Sequence, residues 1–324
     1  MWKVTKYLLF CLILFNQCTL KTKTKVEIEG NNWLINGEIT YPGTQAEGLL
    51  MNVRMVNSTF EDAANPDFDS FGNTREFIDK IPEYKAAGVR AFTLNLQGGS
   101  PGYEGVVNSA FKPNGSLKSA YMDRVSHLIK VCDIQGMVII LGCFYQRQDQ
   151  ILRDSTAVKV GLVNVLEWIS DNNFTNVVLE IANEYPHNGF NHEAIRATDQ
   201  MLGLIEMVKE YNPNLLVSTS GLGNGKIHHD IAEASDFILL HFNDTKVNQI
   251  PSRIKALKKY GKPIVCNEDN KIGDEAVEAM KNTVSNSASW GYLNLELNQF
   301  VPLQFNGLAD DSLVYNQMQK YTTE

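Results

Sequence analysis

Val177-Val178-Leu179-Glu180-Ile181-Ala182-Asn183-Glu184-Tyr185-Pro186 is the stretch from which the fold can be read. It opens as a buried strand: β-branched and apolar residues dominate, Asn172-Asn173 lies upstream, and Pro186 closes the far end. Asn183 and Glu184 stand where that strand runs out. In a barrel of parallel strands, the C-terminal strand ends form the mouth of the active site, and an acid there has a chemical task. A lone carboxylate at such a place needs a partner.

Outward from this strand, strand and helix patterns alternate to the end of the chain, which predicts a parallel sheet with helical crossovers. Strands are expected near 49–56, 89–96, 137–144, 177–182, 215–220, 237–242, 264–267 and 290–295. Helices are expected over 74–87, 118–135, 157–171, 192–211, 229–234, 252–260, 274–287 and 311–321. Gly88, Gly136 and Gly261 follow their helices as stops, and Pro251 sits where a first helical residue belongs. Eight such units in 324 residues fit a (β/α)8 TIM barrel. An open doubly wound sheet fits less well, because no Gly-rich phosphate loop follows an early strand. Ahead of the barrel, residues 33–41 read as a short N-terminal β-hairpin turning at Asn36-Gly37.

The chain is therefore read as a leader over residues 1–24 and one catalytic barrel over 25–324. Lys3 and Lys6 precede an apolar run from Tyr7 to Phe15, too short to span a bilayer but of signal-peptide length. Export is expected, to the outside, the periplasm or the cell envelope. Cys18, at the end of the run, fits a loose lipoprotein signal and a lipid anchor. The remaining cysteines, Cys132, Cys143 and Cys266, form an odd trio inside regular elements and read as buried thiols. The net charge of −8 and the absence of a Lys/Arg cluster exclude a nucleic-acid footprint. No Cys/His spacing suggests zinc, and His228-His229-Asp230 reads as a solvated helix start.

The partner carboxylate lies in Lys262-Pro263-Ile264-Val265-Cys266-Asn267-Glu268-Asp269, again a short apolar strand ending in Glu. Strands four and seven of an eight-stranded barrel stand roughly opposite one another, so Glu184 and Glu268 would face each other across the mouth. Two acids flanking one bond is the arrangement that glycoside hydrolysis needs. Two long loops, 57–73 and 97–117, carry aromatic and acidic residues to the same rim, among them Phe60, Glu61, Phe71, Tyr103 and Glu104.

Glu180-x-x-Asn183-Glu184, with Pro186 behind it, resembles the strand-four motif of the clan A glycoside hydrolases, most nearly family five. Pro263 with Glu268 five residues on is similar to that clan's strand-seven nucleophile motif. His241 matches a histidine at the end of strand six, and Trp290 an aromatic at strand eight. The resemblance implies Glu184 as general acid/base, Glu268 as nucleophile, and Asn183 as a donor to the sugar 2-hydroxyl. It implies a poly- or oligosaccharide substrate and no cofactor. Retention wants the carboxyls about 5–5.5 Å apart.

The chain also departs from family five. The strand-two arginine is absent, with Thr93 at that spacing, and Arg54 at the end of strand one is the candidate to hold Glu268 ionised instead. Asn243 replaces the tyrosine two residues after the strand-six histidine. Phe144-Tyr145-Gln146-Arg147 stands where strand three carries a histidine. Tyr145, Asn95 and Gln97 are candidate hydroxyl readers by position, and Trp290 a candidate sugar platform. Two other readings remain open: a carbohydrate-binding barrel without catalysis, and a metal-dependent barrel hydrolase.

Overall fold

The computed structural model describes residues 23–62, 65, 67–98, 108–299 and 305–324. Residues 1–22 of the expected leader, Cys18 among them, and the loop positions Tyr103 and Glu104 lie outside the described residues. Thr24, read as the leader's last residue, is instead buried in the fold with its N–H on Asp133 Oδ1.

The chain enters through an antiparallel three-stranded sheet of β1 (Val26–Glu29), β2 (Asn32–Ile35) and β3 (Glu38–Ile39), in the order β1-β2-β3. The expected turn is present: Asn36 and Gly37 both have positive φ, 58° and 79°, as a two-residue hairpin requires. The additional strand β1 pairs with the far side of β2.

Eight parallel strands follow: β4 (Asn52–Arg54), β5 (Ala91–Asn95), β6 (Val138–Phe144), β7 (Val177–Ala182), β8 (Val217–Ser218), β9 (Ile238–His241), β10 (Ile264–Glu268) and β11 (Gly291–Tyr292). Continuous ladders run in the order β11-β4-β5-β6-β7-β8, with β9 beside β10. Single parallel bridges close the two seams, Ser220 to Leu239 on one side and Val265 to Ser289 and Asp269 to Tyr292 on the other. Among the described residues the barrel is thereby closed.

The helices are α1 (Ser70–Ala86), α2 (Ser119–Gln135), α3 (Ser155–Asp171), α4 (Glu193–Arg196), α5 (Thr198–Tyr211), α6 (His229–Ala234), α7 (Ile250–Leu257), α8 (Gly273–Val284), α9 (Leu295–Asn298) and α10 (Ser312–Thr323). Several boundaries differ from expectation, among them the last barrel strand, expected over 290–295 but spanning Gly291–Tyr292 with α9 starting at Leu295. Two differences have a clear local reason. Helix α1 starts four residues early because the Asp69 carboxylate accepts from Gly72 N–H and caps it. The single helix expected over 192–211 is two, broken where Ala197 is extended at φ −78°, ψ 134°.

Polarity divides the barrel interior along its axis. Its lower part is apolar, a cluster of Leu50, Ala91, Val138, Ile140, Val178, Phe237, Leu239 and Val265 closed from below by Trp33 of β2. Trp33 is fully buried, edge-on to Phe237 with ring centroids 5.2 Å apart. The upper part is polar: Arg54, Thr93, Asn95, Glu180, Ser218, His241 and Asn267 are all buried. A larger cluster between strands and helices forms the outer core. Cys132, Cys143 and Cys266 are free and buried, and burial pushes their thiols up.

Candidate active site

The strand ends set up the site through two local irregularities. Glu184 leaves β7 with φ at 51°, a left-handed conformation uncommon for a side chain with a Cβ. Its backbone N–H is held by Ser220 Oγ at 2.8 Å. On β10 the pairing with β9 slips between Cys266 and Glu268, so that Glu268 comes level with His241. Such a bulge re-aims a side chain that strict alternation would turn away. Cys266 packs in the outer cluster of β9, α7 and α8, while Asn267 and Glu268 both face polar partners inside.

Glu184 and Glu268 meet. With His241 they form a trio whose donor atoms all lie within 4.8 Å of one another. His241 Nδ1 is 3.2 Å from Glu184 Oε1 and 3.6 Å from Glu268 Oε2. Arg54 Nε lies 2.9 Å from Glu268 Oε2. Asn243 Nδ2 donates to Glu268 Oε1 at 2.5 Å, and its own Oδ1 accepts from Asn270 N–H at 3.2 Å, which fixes the amide's orientation.

Three environments tune the charges. Burial alone would push the Glu268 carboxyl up, yet His241, Arg54 and Asn243 together hold it below the usual range. Burial opposes a charge on His241, but Glu268 and Glu184 outweigh it and raise its pKa. For Arg54 too, burial is outweighed by the surrounding carboxylates, Glu268 foremost, so its pKa goes up.

The trio is the group among the described residues whose donor atoms lie close enough together to hold an ion. Arg54 already occupies the same Oε2 of Glu268 with a full positive charge. A divalent cation there would face that like charge at close range.

The expected site residues separate into those that reach the pocket and those that lie beneath it. A pocket of about 410 Å³ opens over the carboxylates, with Tyr145, Gln146, Glu184, Asn243, Glu268 and Gln299 among the residues lining it. Tyr145 reaches it, its hydroxyl donating to Gln299 Oε1 at 3.2 Å. Asn183 is buried: its Oδ1 accepts from Arg54 Nη2 at 2.5 Å and its Nδ2 donates to Gln146 Oε1 at 3.0 Å. One amide hydrogen is left over, but Asn183 is fully buried and lies beneath the residues that line the pocket.

Three expectations of direct substrate contact, at Asn95, Gln97 and Trp290, are corrected, and two further candidates lie below the pocket. Arg54 and His241 are fully buried and lie against the carboxylates, Arg54 on Glu268 and His241 on Glu184. Asn95 is buried among the interior residues. Gln97 spends its amide on Ser109 Oγ, the Gln148 carbonyl and Tyr145 N–H. Trp290 has no exposed face: its Nε1 donates to Asp269 Oδ2 at 3.0 Å and its ring stacks on Tyr292. Strand eight turns it into the barrel wall, where an indole must find an acceptor.

Sequence reasoning missed Asn243, Gln146 and Gln299 as site residues. Asn243 had a signal, since it stands two residues after His241, where a side-chain donor is wanted. Gln299 had none, because it arrives from the C-terminal segment only in the folded chain.

No known family profile matches the chain, and no curated protein matches it in sequence. Solved structures do. A glycoside hydrolase structure from Bacteroides vulgatus, given that function provisionally, superposes over 91% of this chain with a TM-score of 0.63 at 14% identity, and the match spans 60% of that protein. A β-1,4-D-mannanase from Cryptopygus antarcticus matches over 93% of this chain and 94% of its own, with TM-score 0.59 and 16% identity. A broad-specificity endoglucanase from Clostridium acetobutylicum matches over 85% and 97%, with TM-score 0.55 and 13% identity. At these identities the likeness is one of architecture, and the chain carries the (β/α)8 barrel that those structures share, preceded by its own small antiparallel sheet.

Proposed function

We propose that the protein is an exported retaining glycoside hydrolase that cleaves a poly- or oligosaccharide by double displacement. The observation that carries this reading is the approach of the Glu184 and Glu268 oxygens to within 4.8 Å. That approach is closer to the separation of about 5–5.5 Å of a retaining pair than to the roughly 6.5–9.5 Å of an inverting pair, and it suits direct attack at one sugar carbon.

In the first step a Glu268 oxygen bonds to the anomeric carbon while Glu184 gives its proton to the departing glycosidic oxygen. In the second, Glu184 takes a proton from water, the water oxygen bonds to the anomeric carbon, and Glu268 leaves with its electron pair. Arg54 and Asn243 keep Glu268 ionised before attack and receive its charge again at the end. On the resemblance alone, Asn183 is assigned to the sugar 2-hydroxyl through its remaining amide hydrogen, from its place beneath the pocket. Tyr145 at the pocket wall is assigned to substrate contact. Structural neighbours named as a mannanase and an endoglucanase support a polysaccharide substrate.

Glu184→Gln should nearly abolish turnover of natural glycans yet spare the first step with an activated aryl glycoside, whose leaving group needs no proton. Equal loss on both substrates removes the acid/base role. Azide should rescue Glu268→Gly and yield a glycosyl azide of inverted configuration. Sugar binding by calorimetry without hydrolysis across a glycan panel would instead assign a binding barrel. Activity lost to EDTA and restored by zinc would assign a metal hydrolase built on the same trio. Export rests on the leader, and partition of the mature protein into detergent would identify Cys18 as its lipid anchor.

A further inference from the structure

A third carboxylate inside the barrel has no task in a two-carboxylate reaction. Glu180 lies on β7, four residues before Glu184, and is fully buried. Burying a carboxylate is costly unless donors and opposite charges compensate. Ser220 Oγ donates to Oε1 at 2.6 Å and Asn267 Nδ2 to Oε2 at 3.1 Å. Two cations flank it: Arg54 Nη1 at 3.7 Å from Oε2 and His241 Nε2 at 3.8 Å from Oε1. At those distances neither donates a hydrogen bond, so the attraction is one of charge. Nη1 and Nε2 have no other partner, which leaves Glu180 as the group they answer to.

Arg54 is thus stretched between two acids. Its Nε meets Glu268 in the pocket, while its Nη1 faces Glu180 below. We propose that Glu180 is a positioning residue for the reaction: its buried charge holds the Arg54 guanidinium in place under Glu268 and takes up part of the cation's charge, so that Glu268 stays available to attack. This inference rests on the glycoside hydrolase reading. The charged groups facing Glu268 are Arg54 from β4, His241 from β9 and Glu184 beyond β7. Those facing Glu180 are Arg54 and His241, with the Cys143 thiol of β6 close enough to feel its charge.

The test is Glu180→Gln, which keeps the side-chain shape and removes the charge. Asn267 can turn its amide to suit, because its Oδ1 has no partner. The acidic limb of kcat/KM for an aryl glycoside should move to lower pH by about one unit, as expected for loss of a nearby like charge. The rate of the first step should fall at least tenfold. The Arg54 Nε resonance, followed by NMR against pH without substrate, should show its inflection moving the same way. If Glu180 is only structural, yield and melting temperature fall but both inflections stay, and the proposal is overturned. If the wild-type protein turns over no glycan, the hydrolase reading fails alone, and the Arg54 inflection still decides the charge link. Should Glu180→Gln not fold, Arg54→Leu is added: recovery of folded protein supports the pairing, and continued failure overturns it.

Discussion

At the scale of single residues, the site works by setting one buried carboxylate against two cations and an amide. Asn243 is the least expected of these, since asparagine stands where the resemblance calls for tyrosine, yet it donates to Glu268 at 2.5 Å. A hydrogen bond to a charged group contributes about 1.5–3 kcal/mol, so Asn243→Ala should lower kcat/KM roughly ten- to a hundredfold. The acidic limb of its pH profile should rise. An unchanged limb would show that Asn243 does not support the ionised nucleophile. The charge pattern also predicts how stability follows pH. Glu268 is held below its ordinary value near 4.5, so its contribution is present above that value and is lost as pH falls through the depressed one. His241 is raised above 6.5, so its contribution is present below 6.5 and is lost as pH rises through the elevated value. Urea midpoints across pH should fall on both sides. Glu268→Gln should flatten the acidic fall and bring the His241 ring resonance, followed by NMR, back toward an ordinary titration.

At the scale of elements, the small N-terminal sheet and the last barrel strand hold the two ends of the interior. Trp33 floors the barrel from β2, on the side away from the carboxylates. Trp33→Ala should cost about 3–5 kcal/mol in urea unfolding and leave kcat nearly unchanged well below the melting temperature. A large loss of kcat in a fully folded variant would contradict that separation. Strand β11 is different, because it touches the site's support. A Cβ on Gly291 would meet Asn52 Oδ1 at 2.2 Å and the Cys266 carbonyl at 2.7 Å. Asn52 is two residues from Arg54, and Cys266 two from Glu268. Gly291→Ala should therefore cost about 1–3 kcal/mol and lower activity as well, measurable by unfolding and by kcat on the same sample.

For the whole molecule, the division into an apolar lower barrel and a polar upper one separates what makes the protein stable from what makes it reactive. The ladders are continuous from β11 through β8, whereas β8 meets β9 through the single bridge from Ser220 to Leu239. Under native conditions, amides of β6 and β7 should exchange slowest and those of β8 faster, as read by hydrogen-exchange mass spectrometry. Equal protection around the ring would mean that the seam opens only with the whole barrel.

The sequence alone determined the eight alternating strand and helix patterns, the Asn36-Gly37 turn and the two strands that end in glutamate. Each of these is written in neighbouring residues, by hydrophobic period and by turn chemistry. It also singled out Arg54, because an acid expected to stay ionised needs a cation. Only the tertiary structure decided what those residues touch. Trp290 and Gln97 look like sugar contacts in the chain, but their polar atoms were claimed by Asp269 and by the loop around Ser109. Asn243 came into the site because a barrel brings strand ends together from distant sequence positions, Gln299 because the segment after α9 meets Tyr145, and the slip of register at Cys266 turned Glu268 inward. Side-chain direction at a strand end depends on the neighbouring strand, and one strand's sequence does not contain that information.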